Sequence, residues 1–139
     1  MKKTITIVGA SAGVGLLCVR TALERAHQVR ALARNTSSLS AHEHLSVIAG
    51  SATQLQDLRT ALVGADAIIV TLGTGMDRKP TRLYTDFAAT LLSLQSEVGR
   101  TPIQLLTGFG AGDSAQYQGA VARLLFRLLL KAVYENKSA

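Results

Sequence analysis

Apolar residues follow two rhythms along this chain: short unbroken runs, and longer stretches in which they recur every three or four positions. Thr4 to Val8 is β-branched at every position, which favours an extended segment packed on both faces. Val14 to Ala26 then switches to helical periodicity. Extended runs return at Gln28 to Ala33, Leu45 to Ala49, Ala67 to Leu72 and Ile103 to Thr107. Between them, Thr53 is placed to cap a helix whose apolar residues include Leu55, Leu58 and Leu62. A long helix is predicted from Thr81 to Val98, with Leu83, Phe87, Leu91, Leu94 and Val98 as its core stripe, stopped by Gly99 and Pro102. A last helix runs from Gly119 to Asn136. Strands alternating with helices predict an α/β domain built on a parallel sheet.

Between the first strand and the first helix sits Val8-Gly9-Ala10-Ser11-Ala12-Gly13-Val14-Gly15. A strand that turns sharply on glycines into a helix aims the helix's unbonded N–H groups at whatever fills the turn, and such a site prefers an anion. Gly9, Ser11, Ala12, Gly13, Val14 and Gly15 are therefore candidate phosphate-binding residues, and the pyrophosphate of a dinucleotide suits them. The spacing is Gly9-x-x-x-Gly13-x-Gly15, not the most familiar G-x-G-x-x-G. A strand before the turn, a helix after it and a second strand beginning near Gln28 match the βαβ unit of about 30 residues that such a motif requires. A tight turn in another kind of α/β protein is the plainer alternative.

The tip of the second strand selects between cofactors. Asp or Glu there binds the ribose 2′-OH of NAD, and this chain instead has Arg34-Asn35-Thr36-Ser37-Ser38. Arg34 offers a fixed positive fork suited to a 2′-phosphate, and the hydroxyls of Thr36, Ser37 and Ser38 can add donors. The residues thus favour NADP over NAD, against the plain reading of Arg34 as a solvated loop charge. Ligands of open parallel sheets lie outside the carboxyl ends of the strands. Thr71, Leu72 and Gly73 are accordingly expected to border the cofactor, and Thr107, with Gly108 and its glycine-rich loop, to face the nicotinamide. Asp66 begins its strand at the opposite edge and reads as structural.

Composition narrows the remaining possibilities. A chain of 139 residues is expected to form one domain with a single core. The 47% hydrophobic content contains no run long enough to span a bilayer, and the glycine turn with Arg20, Glu24 and Arg25 interrupts what Lys2 and Lys3 would open as a secretory signal, so the chain reads as cytoplasmic. The net charge of +6 favours anionic ligands, but the basic residues are scattered and aromatics reach only 4%, which argues against a nucleic-acid partner. Arg78, Lys79 and Arg82 form the tightest basic group, read as a solvated loop or, more sharply, as a contact to an anionic substrate or phosphate. Cys18 reads as core filler. His42-Glu43-His44 lacks a third ligand, so no metal site is expected. The last helix carries Val121, Leu124, Leu125, Phe126, Leu128, Leu129, Leu130 and Val133, more apolar surface than one face needs. Further chain or a second copy is expected to cover it, the latter making a homodimer, whereas a membrane-surface role is disfavoured.

Taken together, Ile7 to Gly15, Ala31-Leu32-Ala33-Arg34-Asn35, Gly64 to Ile69 and Leu106-Thr107-Gly108-Phe109-Gly110-Ala111-Gly112-Asp113-Ser114 resemble the short-chain dehydrogenase/reductase superfamily. The similarity is above all to its atypical NAD(P)H-binding branch of NmrA-like and flavin or biliverdin reductase-like proteins. The resemblance implies a three-layer Rossmann-like fold, an open parallel sheet of about five strands in the order 3-2-1-4-5, and a bound nicotinamide dinucleotide. It implies that residues 1–139 are the NAD(P)-binding domain, short at the carboxyl end relative to the family. Ala12 stands where the branch usually has glycine. Ser51, followed by Ala52, stands where relatives often place an Asp near the adenine, leaving base recognition to backbone groups. Thr107 resembles the superfamily's active-site hydroxyl residue and is the catalytic candidate. Lys137 resembles the Lys that holds the nicotinamide ribose in the Tyr-x-x-x-Lys pair, but its Tyr position is Val133, and Tyr134 is one residue off.

What the resemblance implies for activity is NADPH-dependent reduction of a small conjugated acceptor such as a flavin or quinone, where placing the nicotinamide against the acceptor stands in for a dedicated proton donor. The missing Tyr keeps two other readings open: a non-catalytic NADP-sensing module, and a shortened relative that keeps the cofactor turn without the substrate half.

Overall fold

The computed structural model describes residues 1–73 and 82–106. Five strands form one sheet: β1 (Thr4–Val8), β2 (Gln28–Ala33), β3 (Leu45–Ala49), β4 (Ala67–Val70) and β5 (Ile103–Leu105). Every neighbouring pair is parallel and the order is β3-β2-β1-β4-β5, as the resemblance implied. The β1 register pairs Val8 with Leu32 on one side and with Val70 on the other, so all three strands reach the same carboxyl edge. At the opposite edge Asp66 pins the start of β4 to β1: its carboxylate accepts from the Thr4 amide at 2.7 Å, and its own amide donates to the Thr4 carbonyl at 2.8 Å.

The alternation along each strand sends its side chains to two separate cores. Ile7, Val29 and Ala31 meet Val19 and Ala22 of α1 (Gly13–Glu24) on one face. Val8, Leu32, Ile68 and Val70 meet Leu58, Ala61 and Leu62 of α2 (Leu55–Leu62) on the other, together with Phe87 of α3 (Leu83–Ser93) and Val98 of α4 (Gln95–Val98). Covered on both sides, the sheet needs no charged alternation, which is why TITIV carries β-branched residues throughout with threonine as its only polar type. Thr6, buried in that run, satisfies its hydroxyl on the Ala61 carbonyl at 2.6 Å. Cys18 packs against the α1 core, in keeping with a filler role.

β4 and β5 end at Val70 and Leu105, two residues short of their extended runs, and three helix boundaries also differ from the sequence expectation, each for a physical reason. The helix expected through Ala26 ends at Glu24, because Ala26 takes a left-handed φ of 58° and its amide and that of His27 close onto Leu23 and Ala22. This is a Schellman-type stop made without glycine. The helix expected to run unbroken to Val98 is divided at Leu94, whose amide bonds to Leu91 three residues back. Thr90 and Ser93 contribute by returning their hydroxyls to the carbonyls of Asp86 and Ala89, a habit that bends helices. The bend buries Leu94 completely, and Arg59 of α2 grips the Glu97 carboxylate of α4 at 3.0 to 3.1 Å. Finally, α2 is capped at Gln54, not Thr53, and Gln54 makes no side-chain capping bond. The Thr53 hydroxyl is turned to Ser51 instead, at 2.9 Å. The basic residues Arg78 and Lys79, the helix start at Thr81, and Thr107, Gly108, the last helix, Tyr134 and Lys137 lie outside the described residues.

Candidate functional site

Along the carboxyl edge of the sheet runs a cleft of about 990 Å³, within the range of small-molecule and cofactor sites. Its described walls come from the turn after β1, the tips of β2, β3 and β4, Leu106 beyond β5, and the first turn of α3.

The floor is the glycine turn, and Gly9, Ser11, Ala12, Gly13 and Val14 all line the cleft. Gly9 is obligatory on backbone grounds: its φ is +87°, and a Cβ there would stand 2.9 Å from the Thr71 carbonyl oxygen. Gly15 is buried and set back from the wall, where a Cβ would collide with the Gly9 carbonyl and come within 2.6 Å of the Thr71 hydroxyl. Its role is therefore to let α1 sit against the β1 and β4 tips, which brings the helix start to the cleft. The first intrahelical bond is from the Leu16 amide to Ala12. The amides of Gly13 and Val14, both on the wall, thus have no carbonyl within the helix, and α1 has neither a side-chain cap nor an acid in its first turn. This arrangement fits an anion.

Arg34 and Asn35 line the cleft at the β2 tip, and both are exposed. None of the ion pairs among the described residues engages Arg34. The neighbouring hydroxyls behave differently from expectation. Ser38 spends its proton on the Ser11 carbonyl, tying this loop to the glycine turn, so it is no free donor to a phosphate. Asn35 accepts from the Ser37 amide at 3.0 Å, which shapes the loop around Arg34.

Ser51 and Ala52 line the cleft beyond β3, joined by Gly50 and Thr53. Thr71, Leu72 and Gly73 line it beyond β4, with the Thr71 hydroxyl bound to the carbonyls of Val8 and Gly9 at 3.1 and 3.0 Å. Sequence reasoning missed Leu83, Asp86 and Leu106 as wall residues and left Arg82 in a loop. Arg82 is the N-cap of α3, and its Nε lies 3.4 Å from Asp86 Oδ1 one turn on. The spacing of the pair was visible in the sequence; its place beside the cleft was not.

His42, Glu43 and His44 precede β3 at the far edge of the sheet from the cleft. Among the described residues no group of three His, Cys, Asp or Glu could hold a metal ion, and no helix is long and apolar enough to cross a membrane.

A parallel sheet in this order, with a glycine turn feeding a helix N-terminus at its switch point, defines a Rossmann-like nucleotide-binding protein. A family model described as NAD(P)H-binding matches residues 9–139, and the chain belongs to that family. It is 40% identical over 67 residues to a 3-beta-hydroxysteroid dehydrogenase of Mycolicibacterium neoaurum, a stretch covering 48% of this chain and 18% of that protein. Among solved structures, it is similar to an anaerobillin reductase from Escherichia coli O157:H7, with TM-score 0.72 and 23% identity, covering 97% of this chain and 63% of that one. A Veillonella parvula short-chain dehydrogenase/reductase in complex with NADP gives TM-score 0.73 at 20% identity, covering 99% of this chain and 61% of its own. An Agrobacterium tumefaciens superfamily protein with bound NAD gives 0.65 at 21%, covering 78% and 33%. The chain thus spans less than two thirds of the length of each of these relatives.

Proposed function

We propose that this protein is a cytoplasmic, NADPH-dependent oxidoreductase acting on a small acceptor such as a flavin or quinone. The observation that carries the cofactor preference is Arg34: a guanidinium at the β2 tip, on the cleft wall and outside every described ion pair, in a segment with no acid to repel a 2′-phosphate. The Gly13 and Val14 amides hold the pyrophosphate, Arg34 holds the 2′-phosphate, and the Thr71 to Gly73 segment borders the ribose toward the nicotinamide. Bound there, the cofactor supplies the hydride. Thr107 is the candidate hydroxyl at the reacting end, Gly108 lies beside it, and Lys137 is the candidate ribose ligand. The acceptor class is supported by the resemblance and by the anaerobillin reductase among the structural relatives.

Fluorescence titration of the 139-residue chain with NADPH and NADH tests the proposal. Arg34→Ala is expected to weaken NADPH binding by about 10- to 100-fold, the worth of a charge-assisted bond, while leaving NADH within about twofold. Loss of neither would remove the NADP assignment. A second reading, a non-catalytic NADP-sensing module, is favoured by Val133 at the position where the Tyr-x-x-x-Lys pair needs its Tyr. It predicts tight NADPH binding with no turnover of flavin or quinone acceptors.

A further inference from the structure

Ser51 puts no acid at the β3 tip, yet a carboxylate does line the cleft, on a different element. We propose that Asp86 of α3, positioned by Arg82, reads the exocyclic amino group of the dinucleotide's purine. The proposal rests on the dinucleotide reading above and adds to it the group that selects the base.

Topology locates that end of the cleft. With the pyrophosphate at the α1 N-terminus and the adenosine ribose at the β2 tip, the base falls farther out, toward the Ser51 to Thr53 turn beyond β3. Part of that turn's hydrogen-bonding capacity is spent internally. The Ser51 and Thr53 hydroxyls bond each other at 2.9 Å, and the Thr53 amide donates to Ser51 Oγ at 3.3 Å. Asp57, the acid nearest in sequence, accepts from the Ser51 amide at 2.9 Å and is absent from the cleft wall.

Asp86 is the only acid on the described wall. A helix advances about 100° per residue, so Arg82, Asp86 and Thr90 share one face of α3 while Tyr84 lies on the other side. The structure shows where each side points. Tyr84 donates to the Leu72 carbonyl at 3.5 Å, toward the β4 tip, whereas the Thr90 hydroxyl, whose proton goes mainly to the Asp86 carbonyl at 2.8 Å, also approaches the Thr53 carbonyl at 3.3 Å. The Asp86 face is therefore held against the β3 turn, with Asp86 one turn nearer the cleft than the contact that holds it. Arg82 approaches only Oδ1, at 3.4 Å, and Oδ2 has no partner among the described residues. A carboxylate accepts and never donates, so Oδ2 suits the N–H donors of the adenine amine. Hypoxanthine carries a carbonyl at that position and would set acceptor against acceptor.

The test is titration of the full chain with NADPH and with its hypoxanthine analogue. The unmodified protein is expected to favour the adenine form by about tenfold. Asp86→Asn can turn its amide to serve either base, so the preference is expected to fall to about twofold or less. Arg82→Ala is expected to reduce the preference in part, since Arg82 orients the carboxylate. A merely structural Asp86 would shift both affinities together and leave their ratio unchanged, which would overturn the proposal. Equal binding of the two nucleotides by the unmodified protein would overturn it without any variant, while leaving the dinucleotide reading intact. Failure to bind either would remove both.

Discussion

Among the described residues, the turns after β1 and β3 both carry the chain from the carboxyl edge of the sheet to a helix, and they pair the amides of the turn differently. After β1, the chain bends on Gly9, starts α1 at Gly13 without a side-chain cap, and presents the Gly13 and Val14 amides to the cleft. After β3, the Ser51 amide goes to Asp57, the Thr53 amide to Ser51 Oγ and the Gln54 amide to the Ser51 carbonyl at 3.1 Å. The first turn is shaped to receive charge from outside, because its donors have no internal partner. The second pairs amides of the turn itself, and although the first amides of α2 lack a partner within the helix as those of α1 do, the Asp57 carboxylate in its first turn disfavours an anion there. Two strand-to-helix turns on one edge thus divide the labour between binding phosphate and fixing a wall.

Substitutions can break or sharpen that contrast. The largest effect is expected from Gly15→Ala: its Cβ would collide with the Gly9 carbonyl, so α1 must lift from the sheet, at a cost of about 3 kcal/mol. Denaturant unfolding should show that loss, and NADPH titration should show the phosphate site lost with it. Asp57→Ala removes the acceptor of the Ser51 amide and an acid from the first turn of α2. It should destabilise by about 1.5 to 3 kcal/mol in the same unfolding experiment, and the β1 turn should still bind NADPH. Gln54→Asp supplies the cap that α2 lacks, with Gln54 already in the extended conformation that a cap needs, and should stabilise by about 1 kcal/mol in denaturant. Smallest is Ala26→Gly, which relieves the left-handed φ of 58° at the far end of α1. Allowing for glycine's greater freedom in the unfolded chain, a gain of about 0.5 to 1 kcal/mol is expected, read as a raised Tm.

Much of the scaffold was legible because its causes are local. TITIV is extended by its own Cβ branching, and the glycine turn is marked by residues that let backbone approach backbone. Arg34 without an acid beside it was likewise visible as a charge at a strand tip. Other outcomes were not local. The helix ending at Val98 broke at Leu94 because burying Leu94 and gripping Glu97 with Arg59 depend on a partner helix more than thirty residues away. The Ser38 hydroxyl looked free in sequence and is spent on Ser11, twenty-seven positions back.

By itself, then, the sequence determined which segments extend, which coil, and where an anion can meet a helix start, since steric branching, periodicity and glycine act within a few residues. Tertiary structure alone decided which groups face one another across the cleft. Arg82 and Asp86 join the wall only because parallel strands in this order set α3 against the turn beyond β3. That meeting is a property of long-range packing, which no short window of the chain contains.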